Sequence, residues 1–245
     1  MTLPVAVLAG GLATRLHPVT EAVPKALVEV AGRPFAEHQL DWLRGQGITR
    51  VVFCVGFRGE MIREALGDGR RWSLSIRYAF DGEPLLGTGG ALKRALPVIG
   101  EPFFVLYGDS LLTCDLRAVE RAFLASRRAG LMTVLRNDDR WDRSNALFEN
   151  GRLLKYDKTH QTPDMRHIDY GLGILTSRAL AAFPSDRPFD LALVYQRLLA
   201  DDELAAFEVS DRFYEIGSPE GLEETRRYLE LRTKNLEVRK AETAD

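Results

Sequence analysis

Two adjacent glycines, an arginine and a lysine near the amino terminus have the spacing of an anion site. The stretch Leu8-Ala9-Gly10-Gly11-Leu12-Ala13-Thr14-Arg15-Leu16 follows a short apolar run, and Pro24-Lys25-Ala26-Leu27 comes soon after. Paired glycines let the main chain turn sharply and bring its N–H groups against an anion. Arg15 offers a planar fork of donors matched to phosphate oxygens, and Lys25, set behind a rigid proline, supplies a second cation. The loop has neither the Gly-x-x-x-x-Gly-Lys-[Ser/Thr] spacing of a Walker loop nor the Gly-x-Gly-x-x-Gly of a dinucleotide loop. A second glycine turn, Gly87-Thr88-Gly89-Gly90, leads into a helix and leaves room for a flat ring or a sugar against bare backbone. Taken alone, it is equally a helix entry with Thr88 as the cap. Tyr107-Gly108-Asp109-Ser110 closes an apolar run. Ligands of open α/β sheets bind beyond the carboxyl ends of strands, and an aspartate there can reach a magnesium ion, which is held by one or two carboxylates plus phosphate oxygens.

These groups need a scaffold. Leu3 to Ala9, Val51 to Val55 and Phe103 to Tyr107 are short apolar runs of buried-strand type, and Leu74 to Phe80 alternates like a strand. Between them, helices are predicted from Pro34 to Gly45, from Arg58 to Leu66 and from Ala91 to Leu96, the last stopping before Pro97. A further helix is expected behind an Asp115 N-cap, with Gly130 as its stop. Alternation of this kind predicts an α/β fold with a mostly parallel sheet covered on both faces. Beyond it the pattern becomes mixed: Asn150-Gly151 separates two strand-like runs as a hairpin, His167 to Leu175 is another strand, and Phe189 to Leu199 a helix. A last helix opens at Ser218-Pro219, and fraying is expected from Thr233. The boundaries suggest a single domain over 1–245, with a nucleotide half at about 1–136, a second half with a mixed extension at about 137–232, and a polar tail at 233–245.

Bulk properties narrow the classes. In 245 residues, 45% are hydrophobic and 28% charged, and the net charge is -2. Such a chain has no general attraction for nucleic acid or an anionic membrane, so affinity for phosphate must be local. Cys54 sits in an apolar run and reads as core, whereas Cys114 is expected to be partly exposed. Neither has a second ligand at zinc spacing, and two unspaced thiols suit a reducing cytoplasm. Met1 to Pro4 carries no basic region, and the apolar run after it is too short for a signal sequence or a membrane span. Oligomeric state is open, homo-oligomers included.

The combination of Leu8 to Leu16, Pro24-Lys-Ala-Leu27 and Ala31-Gly-Arg-Pro34 resembles the amino-terminal signature of the sugar-phosphate nucleotidyltransferases, and the resemblance runs to about Leu229. It implies a Rossmann-like nucleotide-diphospho-sugar transferase fold, a nucleoside triphosphate and a sugar 1-phosphate as substrates, and Mg²⁺ as cofactor. By this resemblance the loop of Leu8, Ala9, Gly10, Gly11 and Thr14 holds the triphosphate with Arg15, and Lys25 bridges the reacting phosphates. Gly87, Thr88 and Gly89 would meet base and ribose, with Glu83 the acidic residue near the base. Asp109 would bind the metal, and Glu215 stands where the family has a second aspartate. Lys158 would hold the sugar phosphate, with Asp169 and Gly171 near the sugar; here Asp157-Lys158 and Asp169-Tyr170-Gly171 replace the usual Glu-Lys and Asn-Ala-Gly. The compact length is most similar to the short enzymes for heptose 1-phosphate and GTP, or N-acetylmuramate 1-phosphate and UTP. The loop Asp138 to Arg143 could cover the sugar or be solvated surface. Competing readings are a metal-dependent glycosyltransferase, a guanylyltransferase for a cofactor precursor, and a binding module that keeps the fold without the chemistry.

Overall fold

The computed structural model describes residues 2–12, 16 and 19–242. In chain order the elements are β1 (Val5–Ala9), α1 (Val19–Ala22), β2 (Glu29–Val30), β3 (Arg33–Pro34), α2 (Phe35–Gly45), β4 (Arg50–Val55), α3 (Gly59–Leu66), β5 (Ser75–Phe80), α4 (Gly87–Ile99), β6 (Phe103–Tyr107) and β7 (Ser110–Leu111). There follow α5 (Leu116–Ser126), β8 (Gly130–Arg136), β9 (Ala146–Glu149), β10 (Arg152–Tyr156), β11 (His167–Leu175), α6 (Ser177–Leu180), α7 (Leu191–Ala200), β12 (Leu204–Val209), β13 (Tyr214–Glu215) and α8 (Pro219–Glu242).

The main sheet runs β10-β9-β11-β6-β1-β4-β5, with β8 on β11 and β12 on β8. Strands β6, β1, β4 and β5 are parallel, whereas β11 is antiparallel to β6, β8 and β9. The protein is therefore α/β with a mixed, mostly parallel sheet in its first half. Alternation along the strands divides the core. Val5, Val7, Phe53, Phe104 and Leu106 pack with α2, α3 and α5 on one face, while Ala6, Val52, Cys54, Phe103 and Val105 pack with α4 and α7 on the other. A smaller cluster of Val28, Val30, Phe35, Leu111, Ile216 and Leu229 seats α8. The hairpin at Asn150-Gly151 has both residues at positive φ, 50° and 77°, as a two-residue turn of that sequence requires.

Several expectations are corrected. Helix α4 passes through Pro97 to Ile99: the proline faces solvent and costs the helix the one bond that its N–H would have given to the Lys93 carbonyl, and only two helical residues follow it. Helix α5 stops at Ser126, where Arg127 turns left-handed at φ 56°. Gly130 instead opens β8, packed so that a Cβ would meet Leu198 and Leu175 at 2.8 and 2.9 Å. Strands β8 and β12 were not foreseen, although they pair in parallel over six residue pairs. Cys114 is buried, and burial pushes its thiol up to about 12. Helix α8 continues to Glu242 through the stretch expected to fray; its Leu, Glu, Lys and Arg residues are good helix formers.

Strand β11 crosses the centre of the sheet, and at Gly173 a methyl group would overlap the Tyr195 hydroxyl and stand 2.9 Å from the Leu131 carbonyl oxygen. Overpacking of this kind costs roughly 1–3 kcal/mol. Gly173→Ala should lower the unfolding free energy by that much, read as a lower urea midpoint with an unchanged denaturant slope.

Candidate active site

The turn between β6 and β7 carries Asp109 and is fixed from several directions. The Gln39 amide, on α2, donates to the carbonyls of Tyr107 (3.0 Å) and Ser110 (2.8 Å). The Gly108 N–H donates to Leu8 O at 2.9 Å, and a Cβ on Gly108 would stand 2.6 Å from that oxygen. The Ile216 N–H donates to Asp109 O at 3.0 Å, extending the β7–β13 ladder in which Glu215 faces Ser110. Lys25 Nζ then lies 3.0 Å from Asp109 Oδ2, in a partly buried ion pair.

On one side of Asp109 lies a cavity of about 240 Å³ lined by Leu8, Ala9, Gly10, Gly11, Lys25, Ala26, Cys54, Asp81, Leu85, Gly87, Thr88, Ala91, Tyr107, Gly108 and Asp109. It stretches across the carboxyl ends of β6, β1, β4 and β5, the place where open α/β sheets take ligands. Its apolar slot is closed by Leu85 and Ala91, and its far wall holds Asp81, only 6% exposed. Among the described residues Asp81 receives one hydrogen bond, a long 3.4 Å one from the Leu86 N–H, and burial raises its pKa above the usual carboxylate value against the smaller lowering effects of that bond and of the Arg94 charge.

On the other side a larger cavity of about 570 Å³ shares Tyr107 and Asp109 with the first. Its wall includes Ser110, Trp141, Asp142, Arg143, Asn145, Lys158, Gln161, Asp169, Gly171, Phe213, Glu215 and Ser218. Asp169 is nearly enclosed but satisfied: it accepts from the Tyr156 hydroxyl (2.9 Å) and the Gly171 N–H (3.0 Å), with Lys158 Nζ at 3.6 Å. Lys158 donates to the Tyr107 hydroxyl at 3.2 Å and lies over the Tyr107 ring. Burial, first, and then the Asp169 charge raise the Tyr107 phenol well above its ordinary value, so it stays protonated. The loop at Trp141 does form part of this cavity, pinned by Arg212, whose guanidinium lies 4.8 Å from the Trp141 ring and 4.5 Å from that of Tyr214.

The described residues hold no group of three or more His, Cys, Asp and Glu side chains suited to a metal. Asp109 and Glu215, brought together by the short ladder, are hard oxygen donors. They fit a cation that keeps most of its shell for water and phosphate. Glu215 already caps α8: one carboxylate oxygen accepts from Ser218 Oγ (2.8 Å) and the other from the Gly217 N–H, leaving it second lone pairs for a cation or a bridging water.

Of the residues singled out from sequence, Leu8, Ala9, Gly10, Gly11, Lys25, Gly87, Thr88 and Asp109 share the first cavity, while Asp109, Lys158, Asp169, Gly171 and Glu215 share the second. Thr14 and Arg15 lie outside the described residues. Gly89 is buried beneath Phe189, where a Cβ would overlap the ring, so its lack of a side chain serves packing. Thr88 does not cap its own helix; its hydroxyl accepts from the Leu191 N–H of α7 at 2.8 Å. Glu83 is exposed and off the cavity wall, whereas Asp81, two residues earlier, lines it. Asp81 and the buried Gln39 were missed; a lone carboxylate directly after a strand was the available signal for the first.

Because the folded-state pKa of Asp81 is raised, its ionised form is disfavoured by folding. That penalty is absent below the ordinary carboxylate pKa and grows as pH rises through the folded value. Asp81→Asn should therefore melt no lower than the wild type at pH 7, and the gap should close on acidification. A variant clearly less stable at pH 7 would make the Leu86 hydrogen bond the dominant role of this carboxylate.

Comparison with known proteins places this geometry. A D-glycero-alpha-D-manno-heptose 1-phosphate guanylyltransferase of Campylobacter jejuni is 29% identical over 215 residues, which is 87% of this chain and 94% of its own length. An N-acetylmuramate alpha-1-phosphate uridylyltransferase of Neisseria meningitidis is 37% identical over 113 residues, 46% of this chain and 49% of its own. HddC from Yersinia pseudotuberculosis superposes with a TM-score of 0.78 at 25% identity, covering 93% of this chain and 100% of that one. The nucleotidyl transferase family itself matches residues 5–145, a stretch that holds the Gly10-Gly11 exit, Lys25, the Gly87 turn and Asp109, and the chain belongs to that family.

Proposed function

We propose that the protein joins a sugar 1-phosphate to a nucleoside triphosphate, giving a nucleotide-sugar and pyrophosphate, with GTP and a heptose or hexose 1-phosphate as the preferred pair. The observation that carries this reading is the meeting of two cavities at a single carboxylate–ammonium pair, Asp109 and Lys25. One cavity is narrow and apolar with a glycine-lined rim, as a base and ribose need; the other is wide and polar, as a sugar needs. The relative in Campylobacter, matched over nearly its whole length, supports the choice of substrates. The wide cavity has no need to exist in a guanylyltransferase for a small cofactor precursor. A glycosyltransferase would have no use for a Gly-Gly loop followed by Pro24-Lys25.

The step is an in-line attack by a sugar-phosphate oxygen on the α-phosphorus, with pyrophosphate leaving opposite. A phosphate monoester has a second pKa of about 6, so the nucleophile is already deprotonated and no general base is required. The difficulty is electrostatic, because two anions must approach. Lys25 sits where the reacting phosphates would meet, and the amides of Gly10 and Gly11 line the same wall. Arg15 follows Gly11 by four residues in the sequence. Lys158 stands across Tyr107 to take the sugar phosphate, held by the Tyr107 hydroxyl and Asp169. Mg²⁺ held by Asp109, with Glu215 directly or through water, would neutralise phosphate charge at the junction. The rest of the chemistry is positioning, and the residues that do it are fixed before substrate arrives. Both thiols are free and buried, in keeping with a cytoplasmic enzyme.

The test is pyrophosphate release over a grid of four nucleoside triphosphates and a panel of sugar 1-phosphates. Release should need both substrates and Mg²⁺, and should stop on chelation and return with added Mg²⁺. Lys25→Ala and Asp109→Ala should each lower turnover by roughly a hundredfold or more with an unchanged far-UV spectrum. Near-normal rates in either variant would remove that residue from the mechanism.

A further inference from the structure

The loop that walls the wide cavity is fixed from within and from outside. Asn137, fully buried, shapes it from within. Its amide donates to Asp142 O at 2.6 Å and to Ser144 Oγ at 3.1 Å, and its Oδ1 accepts from the Trp141 N–H at 3.4 Å. Asp138 and Asp139 turn the chain at positive φ, 47° and 57°, and the Ser144 N–H donates to Asp139 Oδ1 at 2.7 Å. These bonds fix the main chain. They do not fix the Trp141 indole, a large, partly exposed ring on an otherwise polar stretch of wall.

Arg212 fixes the indole from outside. Its guanidinium carbon lies 4.8 Å from the centre of the Trp141 ring and 4.5 Å from that of Tyr214. Tyr214 stacks in turn on Tyr228 of α8, with ring centres 3.9 Å apart and an interplanar angle of 17°. Arg212 Nη2 reaches Glu224, also on α8, at 2.6 Å, and the Arg212 carbonyl accepts from Thr113 Oγ1 at 3.0 Å. One guanidinium thereby ties the indole to the short strand that carries Glu215 and to the helix behind it. A flat guanidinium stacks on aromatic faces in a way that a compact ammonium does not. The attraction strengthens as water is excluded, and the Arg212 side chain is only 30% exposed.

Trp42 and Trp72, the other tryptophans of the chain, are 7% and 4% exposed in the core, whereas Trp141 lines the cavity. Its neighbours on that wall, Asp142, Arg143, Asn145 and Gln161, all carry hydrogen-bonding groups. Ligand sites combine in this way an aromatic surface with a few placed polar groups that set orientation. A sugar ring has the matching two characters, hydroxyls around its edge and a face of C–H groups that packs on an aromatic ring. Lys158 stands in the same cavity, so indole and ammonium address the ring and the phosphate of one substrate.

Resting on the nucleotidyltransferase reading above, we propose that Trp141 is the platform on which the sugar ring packs, and that Arg212 is the positioning residue that holds the indole there by stacking. Trp141 touches the substrate, and Arg212 acts through it. Trp141 lines the wide cavity and not the narrow one, so the triphosphate does not feel the contact.

The experiment follows tryptophan emission of wild type, Trp141→Phe, Arg212→Lys and Arg212→Met during titration with a sugar 1-phosphate. Mg²⁺ and a GTP analogue with an uncleavable α–β bridge are present throughout. The probe is the sugar 1-phosphate of the panel above with the highest turnover, mannose 1-phosphate and a manno-heptose 1-phosphate first, and inorganic phosphate is the control. KM for each substrate is measured in parallel by pyrophosphate release. The sugar 1-phosphate should change the wild-type emission, inorganic phosphate should not, and Trp141→Phe should be silent. Arg212→Lys keeps the charge that pairs with Glu224 and loses the flat stack. It and Arg212→Met should each raise KM for the sugar 1-phosphate roughly tenfold, the scale of a partly desolvated cation–π contact, with KM for the triphosphate unchanged. Saturation with no change in wild-type emission overturns the proposal and needs no variant. A wild-type KM for the sugar 1-phosphate in Arg212→Lys overturns it, as does a rise shared equally by both substrates, the mark of a general loss of structure. These results leave the transferase reading standing. Failure of wild type to release pyrophosphate with any pair removes both.

Discussion

Backbone hydrogen bonds converge on the four residues from Tyr107 to Ser110. Gln39 bonds the carbonyls at both ends of this turn, Gly108 is drawn onto Leu8, and Asp109 O holds Ile216. None of these bonds involves the Asp109 carboxylate, which is left to face Lys25 and both cavities. The arrangement joins distant parts of the chain: α2 and β1 from the first half, β13 and the start of α8 from the last. A carboxylate fixed through its main chain keeps its place whatever its side chain binds. Glu215 is held by the opposite means, through both of its oxygens, which also form the start of α8. Gly221 is part of the same constraint, because a Cβ there would overlap the Glu215 carboxylate.

Two buried aspartates show how burial alone does not describe a residue. Asp169, whose side chain is 5% exposed, has a hydroxyl, an N–H and an ammonium around it and orients Lys158 in the wide cavity. Asp81, buried to a similar degree, has one long hydrogen bond. The first is satisfied by its own protein and so belongs to the scaffold of the site. The second lines the narrow cavity with acceptor capacity left over.

What could be read from the sequence was whatever depends on neighbours in the chain. Apolar runs closed by glycine gave β1, β4 and β6, and Asn150-Gly151 gave its hairpin, because turn chemistry and period are local. The Gly10-Gly11 loop, Lys25 and Asp109 stood out because their types are chemically specific and each follows a strand or a proline. The misses depend on tertiary surroundings. Gly130 was taken as a helix stop because a glycine after a helical run usually is one; Leu198 and Leu175, far along the chain, make it a strand residue. Pro97 was taken as a barrier, yet the helix needed only one more turn of packing at Ile99. Gln39 is not legible because the apolar spacing of Ala36, Leu40 and Leu43 marks only the core face of α2, and nothing nearby in the chain shows that its amide reaches Tyr107 and Ser110. Asp81 and Glu83 look alike in sequence because a two-residue offset after β5 decides which carboxylate turns inward, and that offset is set by the path of the chain.

Tyr107 and Asp109 belong to both walls, so the two cavities are compartments of one trough with no partition of their own. A nucleotide-sugar spans the trough from end to end and covers what either substrate would touch. The finished molecule is then a steady-state competitor of both starting materials at once. Its escape then requires letting go in both compartments together.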